Sequence, residues 1–210
     1  MKENTQIKGM LKDALILLVI TIVAGLALGF VYEVTKAPIA AQEVKAKNNA
    51  CAEVFADASS FEAYLDFDAA AARKVLDAAG LAEQDIDEAM VALDAGGSSI
   101  GYVFNVTTHE GYGGDITFSM GVQKDGTLNG ISILSISETA GLGMKAKEEA
   151  FADQWKNKKV DKFEYTKTGA AADNQIDAIS GATITTNAMT NGVNAGLAYF
   201  ASIEGGNQNE

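Results

Sequence analysis

"DITFSMGVQKDGTLNGISILSIS", Asp115 to Ser137, decides the fold. Two runs rich in β-branched and aromatic residues, partly alternating with polar ones, flank Asp125-Gly126. Such runs are strands, and an Asp-Gly pair between them supplies the turn of a tight antiparallel hairpin. Upstream, "SIGYVFNVTTHEG" from Ser99 reads as another strand. Helical segments surround these. "FDAAAARKVLDAAG" from Phe67 is closed by Gly80, and "MKAKEEAFADQWKN" from Met144 is helical by composition, with Trp155 a packing residue. "KFEYTKTGAAADNQ" is a short irregular connection. Met189, Val193, Leu197 and Phe200 then recur every three or four residues, one apolar stripe on a last helix, with Asn187, Asn191 and Asn194 off it. Strands grouped between helices predict an α+β fold, an antiparallel sheet with flanking helices.

That domain follows an apolar leader. Ala14 to Tyr32, "ALILLVITIVAGLALGFVY", contains no charge and is about as long as the roughly 20 residues a bilayer crossing needs. It predicts one transmembrane helix at residues 14–32, after a short terminus at 1–13. Lys2, Lys8 and Lys12 before the span keep that terminus in the cytoplasm and send the rest outward. A cleavable signal peptide ending near Gly25 to Ala27 is the rival, but Leu28, Phe30, Val31 and Tyr32 prolong the apolar run past that point. After the one proline, Pro38, an Ala-rich stretch continues as a helical stalk. The expected organisation is a stalk and first part of the exported domain at 33–85, the main domain at 86–204, and a disordered tail at 205–210.

Composition removes several functions. A formal charge of -12 over 210 residues opposes nucleic acid, whose affinity rests on Lys and Arg. Cys51 is the one cysteine and His109 the one histidine, so neither an internal disulfide nor a His-rich metal site can form, and no metal ligands are assigned. Neither a G-x-G-x-x-G fingerprint, a Walker A loop nor a G-x-S-x-G elbow is present.

Three glycine patches remain: "HEGYGGD" at His109 to Asp115, "SETAGLGMK" at Ser137 to Lys145, and "DAISGATITT" at Asp177 to Thr186. Singly each is a turn. Together they combine close backbone approach with polar groups, as loops closing on a flat polar ligand require. The last patch crowds Ser180, Thr183, Thr185 and Thr186 at the start of a helix, where one capping hydroxyl would suffice. A helix N-terminus favours phosphate, and a hydroxyl there is suited to being esterified by one.

Asp177, two residues, then Ser180-Gly181-Ala182-Thr183-Ile184-Thr185 resembles the flavinylation motif D-x-x-(S/T)-G-A-T-x-T, in which FMN is joined by a phosphoester to threonine by a dedicated FMN transferase. With the N-terminal span, "GYGG" and "ETAGLG", nearly the whole chain resembles the G subunits of the Rnf complex, the ion-translocating ferredoxin:NAD⁺ oxidoreductase. The FMN-binding domain is shared with the C subunits of the sodium-translocating NADH:quinone reductase. The resemblance implies a membrane-anchored electron-transfer subunit, not catalytic alone, in the cell inner membrane with its FMN domain on the extracytoplasmic side. Its partners would be the membrane and iron–sulfur subunits of the complex.

The resemblance makes Thr183 the ester-bearing residue, with Thr185 as the competitor. Ser180, Gly181 and Ala182 would form the approach to the phosphate, and Asp177 would be read by the transferase. Glu138, Thr139, Gly141, Leu142 and Gly143 would contact the flavin, with Tyr112, Gly113 and Gly114 on its other side. Ala140 stands where the family often has proline. Three other readings fit the residues: the FMN-binding C subunit of a sodium-translocating NADH:quinone reductase, an anchored flavin-binding sensory module without redox turnover, and a hydrolase with Ser180 or Thr183 as nucleophile and His109 as base.

Overall fold

The computed structural model describes residues 2–207. The chain divides into two compact units, Met1–Lys45 and Ala46–Glu210.

The first unit is helical. Helix α1 (Lys2–Val54) runs through it and on into the second, with Pro38 inside it, so the Val34 carbonyl loses its helical donor. Between Met10 and Val34 its large apolar side chains are exposed to the surroundings. The hydroxyls of Thr21 and Thr35 donate back to Leu17 O at 2.8 Å and Val31 O at 2.9 Å. An apolar helix whose polar side chains are satisfied internally is what a bilayer tolerates. Among the described residues this is the one helix long and apolar enough to cross a membrane.

The second unit is built on a five-stranded antiparallel meander, β1 (Ser60–Ala63), β2 (Gln84–Leu93), β3 (Ser99–Thr108), β4 (Ile116–Gln123) and β5 (Leu128–Ser135), paired in chain order. The fold is α+β as the sequence predicts, and β4 and β5 form the expected hairpin, with Gly126 at φ 87° in its turn. Two strands, β1 and β2, come from stretches in which the sequence suggests none. Helix α2 (Ala69–Ala78) is capped by Asp68, which accepts from Ala70 N–H, and Gly80 lies beyond its end at φ 73°.

The last helix, Thr183–Asn207, is α4, one short helix (α3, below) preceding it in the chain; it packs across one face of the sheet. Tyr102 and Phe104 of β3 meet Tyr199 and Phe200 there, Phe104 against Tyr199 with centroids 5.5 Å apart. Gly196 keeps the helix close, since a Cβ on it would stand 2.1 Å from Met120 Sδ. The other face takes the last turns of α1: Cys51, Val54 and Phe55 pack with Ala92 and Val103. A Cβ at Gly121 would lie 2.6 Å from Val54 O, so the bare backbone lets the helix end seat on the sheet. With both faces covered, β3 is buried almost throughout, and strict hydrophobic alternation is lost.

The segment from Met144 to Asn157 departs from the expected helix. It is a 3₁₀ turn (Gly143–Lys147), a four-residue helix α3 (Glu149–Ala152) and a second 3₁₀ turn (Asp153–Trp155), broken at the extended Glu148. A continuous helix would put Ala146 about 140° around its axis from Phe151. The break lets both residues, with Trp155, reach the core. The connection after it holds a short parallel pair, β6 (Glu164–Thr166) and β7 (Gln175–Asp177), where no strand is expected. Of the tail at 205–210, residues 208–210 lie outside the described residues.

Candidate functional site

The three glycine patches become three neighbouring loops: β3 to β4, the segment after β5, and the segment between β7 and α4. Two are the same four-residue turn. Leu142 N–H donates to Thr139 O at 3.1 Å, and Ala182 N–H donates to Ile179 O at 2.9 Å. The third residue of each is glycine in the left-handed region, Gly141 at φ 75° and Gly181 at φ 76°. Ala140 occupies the turn's second position, where proline would preset φ, yet the turn closes without it.

Glu138 locks the loops together. Its carboxylate is nearly buried; Oε1 accepts from Gly113 N–H at 3.2 Å, and Oε2 accepts from Thr185 Oγ1 at 3.0 Å. One side chain therefore joins two of the loops to the first turn of α4, which follows the third. The packing leaves no spare volume: a Cβ at Gly143 would fall 2.5 Å from Thr185 Oγ1 and 2.6 Å from Glu138 Oε2. At Gly113 a Cβ would lie 2.1 Å from Ser137 O.

These loops and the start of α4 enclose a pocket of 540 Å³, lined by Tyr112, Glu138, Thr139, Leu142, Gly143 and Gly181 to Thr185. The first helical bond of α4 is Thr186 N–H to Ala182 O at 3.0 Å, which leaves the N–H groups of Thr183, Ile184 and Thr185 without carbonyls of their own helix. The positive end of a 25-residue helix thus meets the pocket.

The crowded hydroxyls divide their work. Thr186, fully buried, accepts from Ile179 N–H at 3.0 Å and donates to Ala182 O at 3.0 Å, fastening the turn to the helix. Thr185, 1% exposed, is committed to Glu138. Thr183 is half-buried and lines the pocket, and Ser180 is exposed at the turn. Among the described residues, neither hydroxyl of this second pair is held by a hydrogen bond.

Not every predicted contact residue reaches the pocket. Ser180, Gly141, Gly113 and Gly114 shape the loops without lining it. Asp177 stands at the end of β7, its Oδ1 accepting from Ala170 N–H at 2.6 Å. Gln154 clasps the Asp177 backbone, accepting from its N–H at 2.6 Å and donating to its O at 3.4 Å. Glu138 faces its neighbouring loops as much as the pocket.

Sequence reasoning missed Ile184, which is 52% exposed at the pocket; the period of the helix stripe excluded it. It also missed Asn194, which is buried and grips Phe163 by accepting from its N–H at 2.7 Å and donating to its O at 3.0 Å. Its polar position off the apolar stripe was the signal.

His109 lies at the foot of the β3–β4 loop and does not line the pocket. Nε2 is 2.9 Å from Asp85 Oδ2 and Nδ1 is 2.9 Å from Asp115 Oδ1. Hydrogen bonds to Asp85 and then Asp115 hold the imidazole above its ordinary pKa. An imidazole occupied at both nitrogens by carboxylates has no free atom with which to deprotonate Ser180 or Thr183.

Residues 111–198 match the FMN-binding domain family, and residues 1–54 match the RnfG N-terminal region. Over 207 residues the chain is 32% identical to the G subunit of the Na(+)-translocating ferredoxin:NAD(+) oxidoreductase complex of Acetobacterium woodii, covering 96% of this chain and 98% of that protein. It is 37% identical over 115 residues to the G subunit of the proton-translocating ferredoxin:NAD(+) oxidoreductase complex of Clostridium ljungdahlii, covering 55% of this chain and 61% of the other. The solved structure of Shewanella oneidensis NqrC aligns at 20% identity with a TM-score of 0.47, over 56% of this chain and 60% of that one.

Proposed function

Since this chain belongs to the family of G subunits of ion-translocating ferredoxin:NAD(+) oxidoreductase complexes, we propose that it is a membrane-anchored electron carrier holding FMN through a phosphoester to Thr183. One observation carries this reading: the start of α4 opens with free N–H groups into a pocket formed by three glycine loops, beside the half-buried Thr183 hydroxyl.

The residues fit the group. Helix N–H groups and the bare backbone at Gly181 suit a phosphate. Tyr112, Leu142 and Ile184 supply apolar surface for the ring system, while Thr139 and nearby backbone offer hydrogen bonds to its polar edge. FMN, when bound, supplies the redox chemistry, exchanging electrons singly or in pairs with iron–sulfur or flavin partners. The chain's own part is to hold it in place, to exclude water from one side, and to fix the first two loops to the start of α4 through Glu138. No protein acid, base or nucleophile is needed for turnover.

α1 anchors the domain in the membrane with the N-terminus in the cytoplasm and the FMN domain outside, where a tether prevents cofactor loss. The partners are the other membrane and iron–sulfur subunits of the complex, with an FMN transferase for maturation. We assign ion movement to those other subunits. The span from Ala14 to Tyr32 has no charged side chain to carry an ion, and one relative is named for sodium and another for protons.

The test is to produce the chain with and without an FMN transferase and look for fluorescence that remains with the denatured band. Intact mass and peptide mapping should then locate one FMN, less one water, on Thr183. A colourless chain of unmodified mass after maturation refutes the reading.

A further inference from the structure

The β3–β4 loop carries Tyr112 to the pocket and Gly113 to Glu138, and both of its stems carry ionisable side chains. The last register pair of the two strands is Thr108 with Ile116. Immediately beyond it, His109 and Asp115 face each other across the loop's base, Nδ1 to Oδ1 at 2.9 Å. The ring's other nitrogen reaches Asp85 on β2 at 2.9 Å, and His109 N–H donates to Glu83 O at 2.9 Å. The imidazole thus joins the loop's base to the neighbouring strand and to the loop's far stem, as the uncharged Thr107 hydroxyl does within the sheet through Asp87 and Thr117.

We propose that protonated His109 is a positioning residue, a clasp between Asp85 and Asp115 that sets the Tyr112–Gly113 loop, so that loss of its proton to solvent changes the surroundings of the flavin site. The flavin half of this inference rests on the function proposed above; the loop half does not. With both nitrogens facing carboxylates, only the imidazolium can donate in both directions. The neutral ring donates from one nitrogen and sets the lone pair of the other against a carboxylate oxygen, which releases one side of the clasp.

The charged groups around the ring favour the protonated state. Asp85 and Asp115 touch it, and Asp87 lies nearby on β2. Arg73 on α2 also pairs with Asp85 and opposes it. Glu110, next in the chain, accepts instead from Gln84 at 2.6 Å and from Asn191 on α4 at 2.7 Å, so it does not compete for the ring. The loop therefore has a fixed point at Glu110 and a titrating one at His109.

His109 is the chain's sole histidine, so ring-selective labelling yields one resonance without assignment. The experiment uses the full chain in lipid nanodiscs, with labelled histidine and labelled glycine, titrated from acid to alkaline pH first without FMN. The Gly113 amide should shift with the same midpoint as the His109 ring. Asp115→Asn should lower both midpoints together, and His109→Gln should abolish the Gly113 transition. In the FMN-loaded chain the visible circular dichroism should follow that midpoint and lose its pH dependence in His109→Gln.

A His109 titration that leaves the Gly113 amide still, or a Gly113 transition that survives His109→Gln, overturns the clasp. A coupled loop with a pH-independent flavin signal overturns its effect on the flavin. Failure to take up FMN at all would appear by mass and refute the proposed function, while the titration of the unliganded chain would still decide the clasp.

Discussion

Thr183 and Thr185 stand two positions apart in one motif, yet the structure gives their removal opposite consequences. Thr183→Val deletes a half-buried hydroxyl that holds no partner among the described residues, so its effect on stability should stay within about 0.5 kcal/mol. Covalent flavin should vanish completely. Thr185→Val deletes a buried donor to the carboxylate of Glu138, itself 8% exposed, and leaves Gly113 N–H as the remaining donor seen there. A hydrogen bond to a charged group is worth about 1.5–3 kcal/mol. For a domain of this size each kcal/mol moves the midpoint by about 2–4 °C, so Thr185→Val should melt roughly 3–12 °C below the parent chain. The assay pairs in-gel flavin fluorescence and intact mass, after maturation with an FMN transferase, with thermal unfolding of the unflavinylated chain. Two results would refute this division of roles: a Thr183→Val chain still labelled on Thr185, or a Thr185→Val chain that melts with the parent while carrying no flavin.

Other outcomes follow from the same geometry. Gly143→Ala should lower stability by roughly 1–3 kcal/mol, since its Cβ would press on both Thr185 Oγ1 and Glu138 Oε2; a denaturant melt measures this. Gln154→Ala should release the Asp177 backbone and reduce the rate of flavinylation in a time course without abolishing it, because Gln154 holds the approach to the motif and not the pocket. The His109 pairing raises that group's folded pKa, so its stabilisation is fully present below the unfolded value of about 6.5 and is lost as pH rises through the folded value. The melting difference between the parent and His109→Gln should therefore be largest in mild acid and shrink toward alkaline pH. Cys51 is 2% exposed between the end of α1 and the sheet, so a thiol reagent should label it only after denaturation.

The parts of the fold legible in the sequence were those with a local cause. Asp125-Gly126 made its hairpin, Gly80 closed α2, and the charge-free run from Ala14 announced a bilayer-length helix. β2 escaped because Asp85, Asp87 and Glu88 make it read as a solvated segment. In the folded chain those carboxylates are taken up by Arg73, Thr107 and Asn105 from other elements. The expected helix after Gly143 failed for the opposite reason. Its composition favours α-helix, but Ala146, Phe151 and Trp155 must enter the same core and no single helix presents them there.

For the site, the sequence supplied the chemical vocabulary. Glycine at the third position of a turn and hydroxyls ahead of a helix are local requirements, and both kinds of loop were visible as "ETAGLG" and "SGATITT". The division of labour among the hydroxyls was not visible, because it is set by partners distant in the chain. Thr185 is withdrawn by Glu138, 47 positions away, and His109 is withdrawn from acid–base work by Asp85, 24 positions away. Residue types and short spacings are carried by the chain itself. Which identical groups are satisfied and which are left free is decided only when separate elements close on one another, since each group's availability depends on the partner the fold brings to it.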